Sequence, residues 1–491
     1  MTEGRDSIAR GAMFTVGMRW INRVIGLVST LILARLLVPE DFGIAAMASL
    51  GVGLAATLLD VGVNIALIRN PKATIEHYHS AWTLRLLQAG VIMLLLVAAA
   101  PWAGDWFRDE RVTPVMMLMA LNVFLVAFEN IGIISFQKDM QFGRELRYLV
   151  LNRLFGLACT VALALWLRSY WALVLATTLT ALFTVAHSYV AHPMRPRIHF
   201  SRFRELVAVS QWMLVQNVSG YFDQNLHRIL VGRRDEPATV GAYTLATELA
   251  ALPSTEVLQP LNRVLFPAFV AVKQDLAELK RMLLLAQGVQ VLLALPAAVM
   301  LSVLAGEVVA LLLGPKWLAA VPLLQALSLG YIFSAVQSSA WYVNITLGQE
   351  RLCAALSWVQ VAIFAIAVAL VWPGAQAQEI AWIRVGVSGI GLFLQLWLLK
   401  RTLGNVRMIE LVESAWRPVL AVSVAVGVGL AVPWPEGPAA LLLLGKLALH
   451  LAVGFALIWL LWRASGRPHG AERYLLDFAR TRLRRRREPS M

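Results

Sequence analysis

Between Leu206 and Pro267 the chain carries chemistry where an apolar stretch should not. Gln211, Gln216, Asn217, Asp223, Gln224, Asn225, His227 and Arg228 come first, then Glu248, Glu256, Gln259, Asn262 and Arg263. Wound as a helix at about 100° per residue, Gln216, Gly220, Asp223 and His227 fall on one stripe at i, i+4, i+7 and i+11, with Asn217, Gln224 and Arg228 beside it. Val215, Val218, Phe222, Leu226 and Ile229 take the other side. In the second helix Thr244, Glu248, Thr255, Gln259, Asn262 and Arg263 share a face. A charge at mid-bilayer costs about 2.5–3.5 kcal/mol on insertion scales, so faces of this kind line water, a ligand or another helix, not lipid. They read as the wall of a polar cavity inside a membrane, a place for binding and passage.

The elements that must position these residues are membrane spans. The chain has 491 residues, 59% hydrophobic and 15% charged, where a soluble protein has about 25% charged. Windows of about 20 apolar residues recur along the whole length, which predicts about fourteen transmembrane helices. The first four run over 12–37, 42–67, 80–101 and 113–136, and the polar pair over 206–231 and 241–269. The expected fold class is an all-α integral membrane protein: two six-helix lobes around a central polar cavity, plus two C-terminal helices. The lobes are 1–198 and 199–401, followed by two spans in 402–463 and a basic cytoplasmic tail in 464–491.

The net charge of +14 would suit a nucleic-acid binder, but its placement excludes that. With the N-terminus in the cytoplasm, the cytoplasmic loops and tail collect most of the Lys and Arg. The opposite side keeps Arg35, Arg108, Arg111, Arg168, Arg233, Arg234 and Lys316. This is the positive-inside pattern. It requires the polar span 206–231 to cross, and it puts both termini in the cytoplasm. The tail, ending in Arg484-Arg485-Arg486-Arg487, is expected to attract anionic phospholipid. Cys159 and Cys353 lie inside predicted spans, so no disulfide framework is expected. No metal motif, phosphate-binding lysine loop or zinc-protease helix is present, and no cofactor is expected.

The first span has its own polar face of Thr15, Arg19, Asn22, Arg23, Gly26, Ser29 and Thr30, in which Arg19, Arg23, Gly26 and Thr30 repeat the i, i+4, i+7, i+11 spacing. The second follows Pro39-Glu40-Asp41-Phe42-Gly43 and lines up Ser49, Gly53, Thr57, Asp60 and Asn64. A shift of 198 residues brings Pro39 onto Pro237, Gly43 onto Gly241, Ala48 onto Ala246, Ser49 onto Thr247 and Asn64 onto Asn262. That regularity predicts a duplication with the two copies parallel and a cavity between them. Pro253, Pro260 and Pro267 should bend the eighth span. Of the remaining intramembrane charges, Arg85 and Lys446 read as snorkelling or helix-end anchors, and Arg153 stays ambiguous.

Leu33-Ala34-Arg35-Leu36-Leu37-Val38-Pro39-Glu40-Asp41-Phe42-Gly43, then Leu59-Asp60-Val61-Gly62 and Ala66-Leu67-Ile68-Arg69, resembles the opening of Wzx-type polysaccharide flippases of the multidrug/oligosaccharidyl-lipid/polysaccharide exporter superfamily. Leu261-Asn262-Arg263-Val264-Leu265-Phe266-Pro267, Leu313-Gly314-Pro315-Lys316-Trp317 and Leu347-Gly348-Gln349-Glu350-Arg351 are similar to its second half, in the colanic-acid and exopolysaccharide exporter branch. The resemblance implies a V-shaped transporter, not an enzyme, in the bacterial inner membrane. It would move undecaprenyl-diphosphate-linked oligosaccharide by alternating access, alongside a polysaccharide polymerase and other export components. It also implies cavity arginines at Arg23 and Arg263, to which helical geometry adds Arg19 and Arg228. Arginine meets a diphosphate with planar paired donors, and amides and hydroxyls suit a glycan. The expected substrate-binding set is therefore Arg19, Asn22, Arg23, Asp60, Asn64, Gln216, Asp223, His227, Arg228, Glu248, Gln259, Asn262 and Arg263. Of Asp60, Asp223, Glu248 and Glu256 some must pair with the arginines, and one could take a coupling H⁺ or Na⁺. A multidrug or small-solute antiporter of the same architecture is the alternative.

Overall fold

The computed structural model describes residues 2–59, 67–68, 73–203, 211–404, 408–435, 437–468 and 470–477. Among these there are helices and connections but no strands. Among the described residues nine helices are long and apolar enough to cross a membrane, or ten if the bent pair Val112–Ala127 and Ile131–Lys138 counts as one span. The chain forms two compact units, Met1–Ala242 and Tyr243–Met491.

The first unit contains α1 (Thr2–Leu36), α2 (Pro39–Leu59), α3 (Ile75–Phe107), α4 (Val112–Ala127), α5 (Ile134–Lys138), α6 (Phe142–Leu167), α7 (Trp171–Ala191), α8 (Gln211–Arg234) and the start of α9 (Pro237–Leu252). The Pro39–Gly43 motif turns out to be architectural. Asp41, 7% exposed, accepts from the Val38 N–H at 3.2 Å and from the Tyr170 N–H at 2.7 Å. It thus caps its own helix and holds the start of α7. Glu40 pairs with Arg111 at 2.8 Å. Asp109 holds the same arginine; burial works against its charge, but bonds from the Arg111 side chain and N–H more than offset this and keep its carboxyl below the usual range. Gly43 and Gly241 are crossing points. A Cβ on Gly43 would run into the Pro237 carbonyl oxygen, and one on Gly241 into that of Pro39.

The break between α4 and α5 turns the chain by 66° and is organised by Asn130, 1% exposed. Its side chain accepts from Gly132 N–H at 3.0 Å and donates to the carbonyls of His192 and Met194 at 3.1 and 2.7 Å. Burial, then the nearby Arg144 and Arg195 cations, hold His192 below the usual imidazole pKa. Beyond it the linker runs back along α3, with the N–H groups of Arg197, His199 and Arg202 donating to the side chains of His79, Thr83 and Ser80. Asn130→Ala removes all three bonds and leaves buried partners unsatisfied, each costing about 1–3 kcal/mol. We expect limited proteolysis between Pro193 and Phe203 to become at least several-fold faster in that variant.

The second unit contains the rest of α9, then α10 (Gln259–Ala271), α11 (Leu276–Val303), α12 (Ala305–Leu312), α13 (Val321–Thr346), α14 (Glu350–Ile366), α15 (Ala377–Leu403), α16 (Met408–Ala431) and α17 (Ala439–Ala464). Phe269, Leu279, Leu283, Ala286, Ala340, Val343, Leu399 and Leu403 form its main apolar cluster. Pro253 does more than bend its helix. With no N–H to give, it opens a π-helical stretch, Pro253–Leu258, between α9 and α10. Short helix 471–477 returns the chain to the bundle, where Glu472 meets Arg417 of α16 at 2.7 Å.

Candidate functional site: a hydroxyl- and amide-lined cavity

The first unit has an open cavity of about 890 Å³ between α1, α2, α4, α6 and α7. Gly26 and Ser29 of α1 and Ser49 and Gly53 of α2 line it. The rest of the polar wall is Asn122 of α4, Asn152, Arg153 and Thr160 of α6, and Thr177, Thr180 and Thr184 of α7.

Four of the six wall hydroxyls are arranged in one sense. Ser49 donates to the Ala45 carbonyl at 2.6 Å, Thr160 to Gly156 at 2.6 Å, Thr177 to Val174 at 2.7 Å and Thr180 to Ala176 at 2.7 Å. Each hydroxyl hydrogen is spent on its own helix, the local back-bonding that serine and threonine adopt inside helices. What they offer elsewhere is lone pairs. Asn122 donates to Thr177 Oγ1 at 3.1 Å, while its Oδ1 is buried without a hydrogen bond. Asn152 Oδ1 lies 2.8 Å from His187 Nδ1, and His187 stacks on Tyr148. Arg153 makes no ion pair among the described residues. Arg85 of α3 donates to Glu129 at 2.9 Å, and Tyr148 of α6 donates to the other oxygen of that carboxylate at 2.6 Å. Arg85 is therefore a half-buried ion-pair residue and not the snorkelling anchor its position suggested. Lys446 likewise pairs with Glu307.

Of the expected site residues, Asp60 and Asn64 lie outside the described residues, as do the side chains of Arg19, Gln216, Gln259 and Arg263. Asn22 and Arg23 sit on α1 one turn before Gly26, partly buried, and Asn22 Oδ1 has no hydrogen bond. Asp223, His227 and Arg228 lie on α8, with His227 3% exposed and Arg228 Nε buried without a hydrogen bond. α8 packs on α2; Tyr221 donates to the Leu50 carbonyl there. Glu248 is exposed. Asn262 belongs to a different environment. It donates to Ser338 at 3.1 Å and accepts from Gln290 at 2.9 Å, and Gln290 accepts from Ser339 at 2.9 Å. That buried amide network ties α10, α11 and α13 together.

The residues that sequence reasoning passed over are Asn122, Asn152 and the threonines of α6 and α7, and it left Arg153 without a role. A signal was present: Thr177, Thr180 and Thr184 recur at i, i+3 and i+7, as do Arg153, Gly156 and Thr160. These stripes are neutral apart from one charge, and intramembrane threonines are too common to single them out.

The chain is 25% identical to lipopolysaccharide biosynthesis protein WzxC of Escherichia coli K12 over 334 residues, 66% of each chain. It is 26% identical to succinoglycan biosynthesis transport protein ExoT of Rhizobium meliloti over 301 residues, 61% of each. The matched stretch thus spans a little under two thirds of these relatives' own length. The structure superposes on the inward closed conformation of lipid II flippase MurJ with a TM-score of 0.75, covering 93% of this chain and all of that one at 11% identity. At that identity the likeness shows a shared fold. The model of the polysaccharide biosynthesis protein family matches residues 32–322, more than half of the sequence, and the chain belongs to that family.

Proposed function

We propose that this protein is a flippase for lipid-linked oligosaccharides, turning undecaprenyl-diphosphate-linked repeat units across a bacterial inner membrane for exopolysaccharide, capsule or O-antigen synthesis. The observation that carries the proposal is the cavity itself: about 890 Å³ inside a membrane protein, walled by six hydroxyl-bearing side chains, two amides and one guanidinium. Sugars are matched by such groups, whereas a hydrophobic cation would want carboxylates and aromatics. The names of the relatives WzxC and ExoT, and membership of the polysaccharide biosynthesis family, point the same way.

Purified protein in proteoliposomes tests the reading with a fluorescent undecaprenyl-diphosphate oligosaccharide, following its accessibility to a glycosidase added outside. Translocation above protein-free vesicles is expected. A failure to translocate, coupled with drug resistance in cells that express the protein, would favour a multidrug antiporter.

We assign Arg23 to the diphosphate, so Arg23→Ala should lower translocation at least tenfold at normal abundance. Arg23→Lys should recover only part, because a point charge lacks the paired donors. Full activity in Arg23→Ala would reassign this arginine to packing. The proposed orientation has both termini in the cytoplasm and the turn after α8 outside. A cysteine at Glu236 should then react with an impermeant maleimide in intact cells with an opened outer membrane. Labelling only after lysis would reverse the topology.

A further inference from the structure

The cavity wall has a chemical polarity that a neutral glycan does not explain. Ser49, Thr160, Thr177 and Thr180 have all committed their hydrogens to their own helices, and Asn122 Oδ1 is buried with no donor. These five groups can only accept, so they call for a ligand rich in O–H donors. Against them stands one strong donor, Arg153, on the wall at the next turn of α6 from Gly156 and Thr160. It lies eleven residues from the start of α6, about 16 Å along the helix at 1.5 Å per residue. Glu129, which Tyr148 of the same helix contacts, is already held by Arg85 and Tyr148. Arg153 thus has no ion-pair partner among the described residues, although an unpaired cation inside a membrane is costly.

We infer that this cavity binds an acidic sugar: a residue with a ring of hydroxyl donors and one carboxylate, its hydroxyls on the threonine and asparagine acceptors and its carboxylate on Arg153. The inference deepens the flippase reading and rests on it for the polymer class, since it says that the translocated repeat unit contains a uronate or similarly charged sugar. A diphosphate competes for the same guanidinium. It carries no O–H groups for the five acceptors, so an acidic sugar is the better complement.

Binding tests this apart from transport. The full-length protein in nanodiscs is titrated with three probes: a glucuronate-terminated trisaccharide, the glucose-terminated counterpart and inorganic pyrophosphate. The uronate probe should bind at least tenfold more tightly than its neutral counterpart, and Arg153→Gln should bring that ratio close to one. Arg153→Lys should keep a ratio of several-fold, and both variants are compared only at matched melting temperature. Thr177→Val together with Thr180→Val should weaken both sugar probes and leave pyrophosphate unmoved. Equal affinity for the two sugars, or a preference that survives Arg153→Gln, overturns the inference. So does a pyrophosphate affinity that exceeds the uronate affinity and is lost in Arg153→Gln, which would make Arg153 a diphosphate ligand. Translocation of a neutral repeat unit at full rate would leave the flippase reading standing and remove only the acidic sugar.

Discussion

Gly43→Ala will lower the melting temperature of the protein, whereas Gly386→Ala will raise it or leave it unchanged. Both glycines sit inside helices, where alanine is favoured by about 1 kcal/mol on propensity alone. Gly386 has open space where a Cβ would go, so that gain is available. At Gly43 the new methyl would meet the carbonyl oxygen of Pro237, and a backbone atom cannot rotate away as a side-chain tip can. Overpacking typically costs about 1–3 kcal/mol, and more where backbone must shift. The net should be a loss of at least about 1 kcal/mol at Gly43, and a similar loss for Gly241→Ala. Tryptophan fluorescence on heating in detergent reads both. A stabilised Gly43→Ala protein would mean that the two helices do not cross there.

The second large effect is expected at Arg417 and Glu472. The pair is 2.7 Å apart with side chains 10% and 7% exposed. Removing one partner strands the other charge in a low-dielectric site, at a cost of about 3–5 kcal/mol, while replacing both by apolar groups is often nearly neutral. Arg417→Met should therefore destabilise the protein strongly and release helix 471–477 to protease. Arg417→Met with Glu472→Met should recover most of the loss. If the double variant is as unstable as the single, the pair is not what holds the C-terminal helix.

Much of the architecture could be read from the residues. Apolar windows located the long spans, and the Pro39–Gly43 motif marked a structural joint, though only coordinates show Asp41 reaching the Tyr170 N–H. The eighth span shows why the rest was hidden. A wheel at a constant 100° puts Glu248 and Asn262 on one face, but the stretch Pro253–Leu258 bonds i to i+5. The extra residue turns the downstream helix by about 100°. Glu248 ends up exposed and Asn262 in the Gln290 network. Arg85 misled for another reason: its partner Glu129 lies 44 residues away, beyond any helical pattern. At Arg153 the type of residue was legible and its surroundings were not, because the cavity wall comes from five helices.

The crossing at Gly43 has a form usually met between separate molecules. Gly43 faces Pro237 while Gly241 faces Pro39, and the two members of each pair of equivalents are 198 residues apart. Such reciprocity, in which one patch meets its own copy, is the mark of an isologous contact. A half-length chain carrying only Pro39–Gly43 could make both contacts by pairing with a second copy of itself. In the present chain the same handshake is covalently linked, so each side is free to diverge in sequence as long as its glycine stays bare.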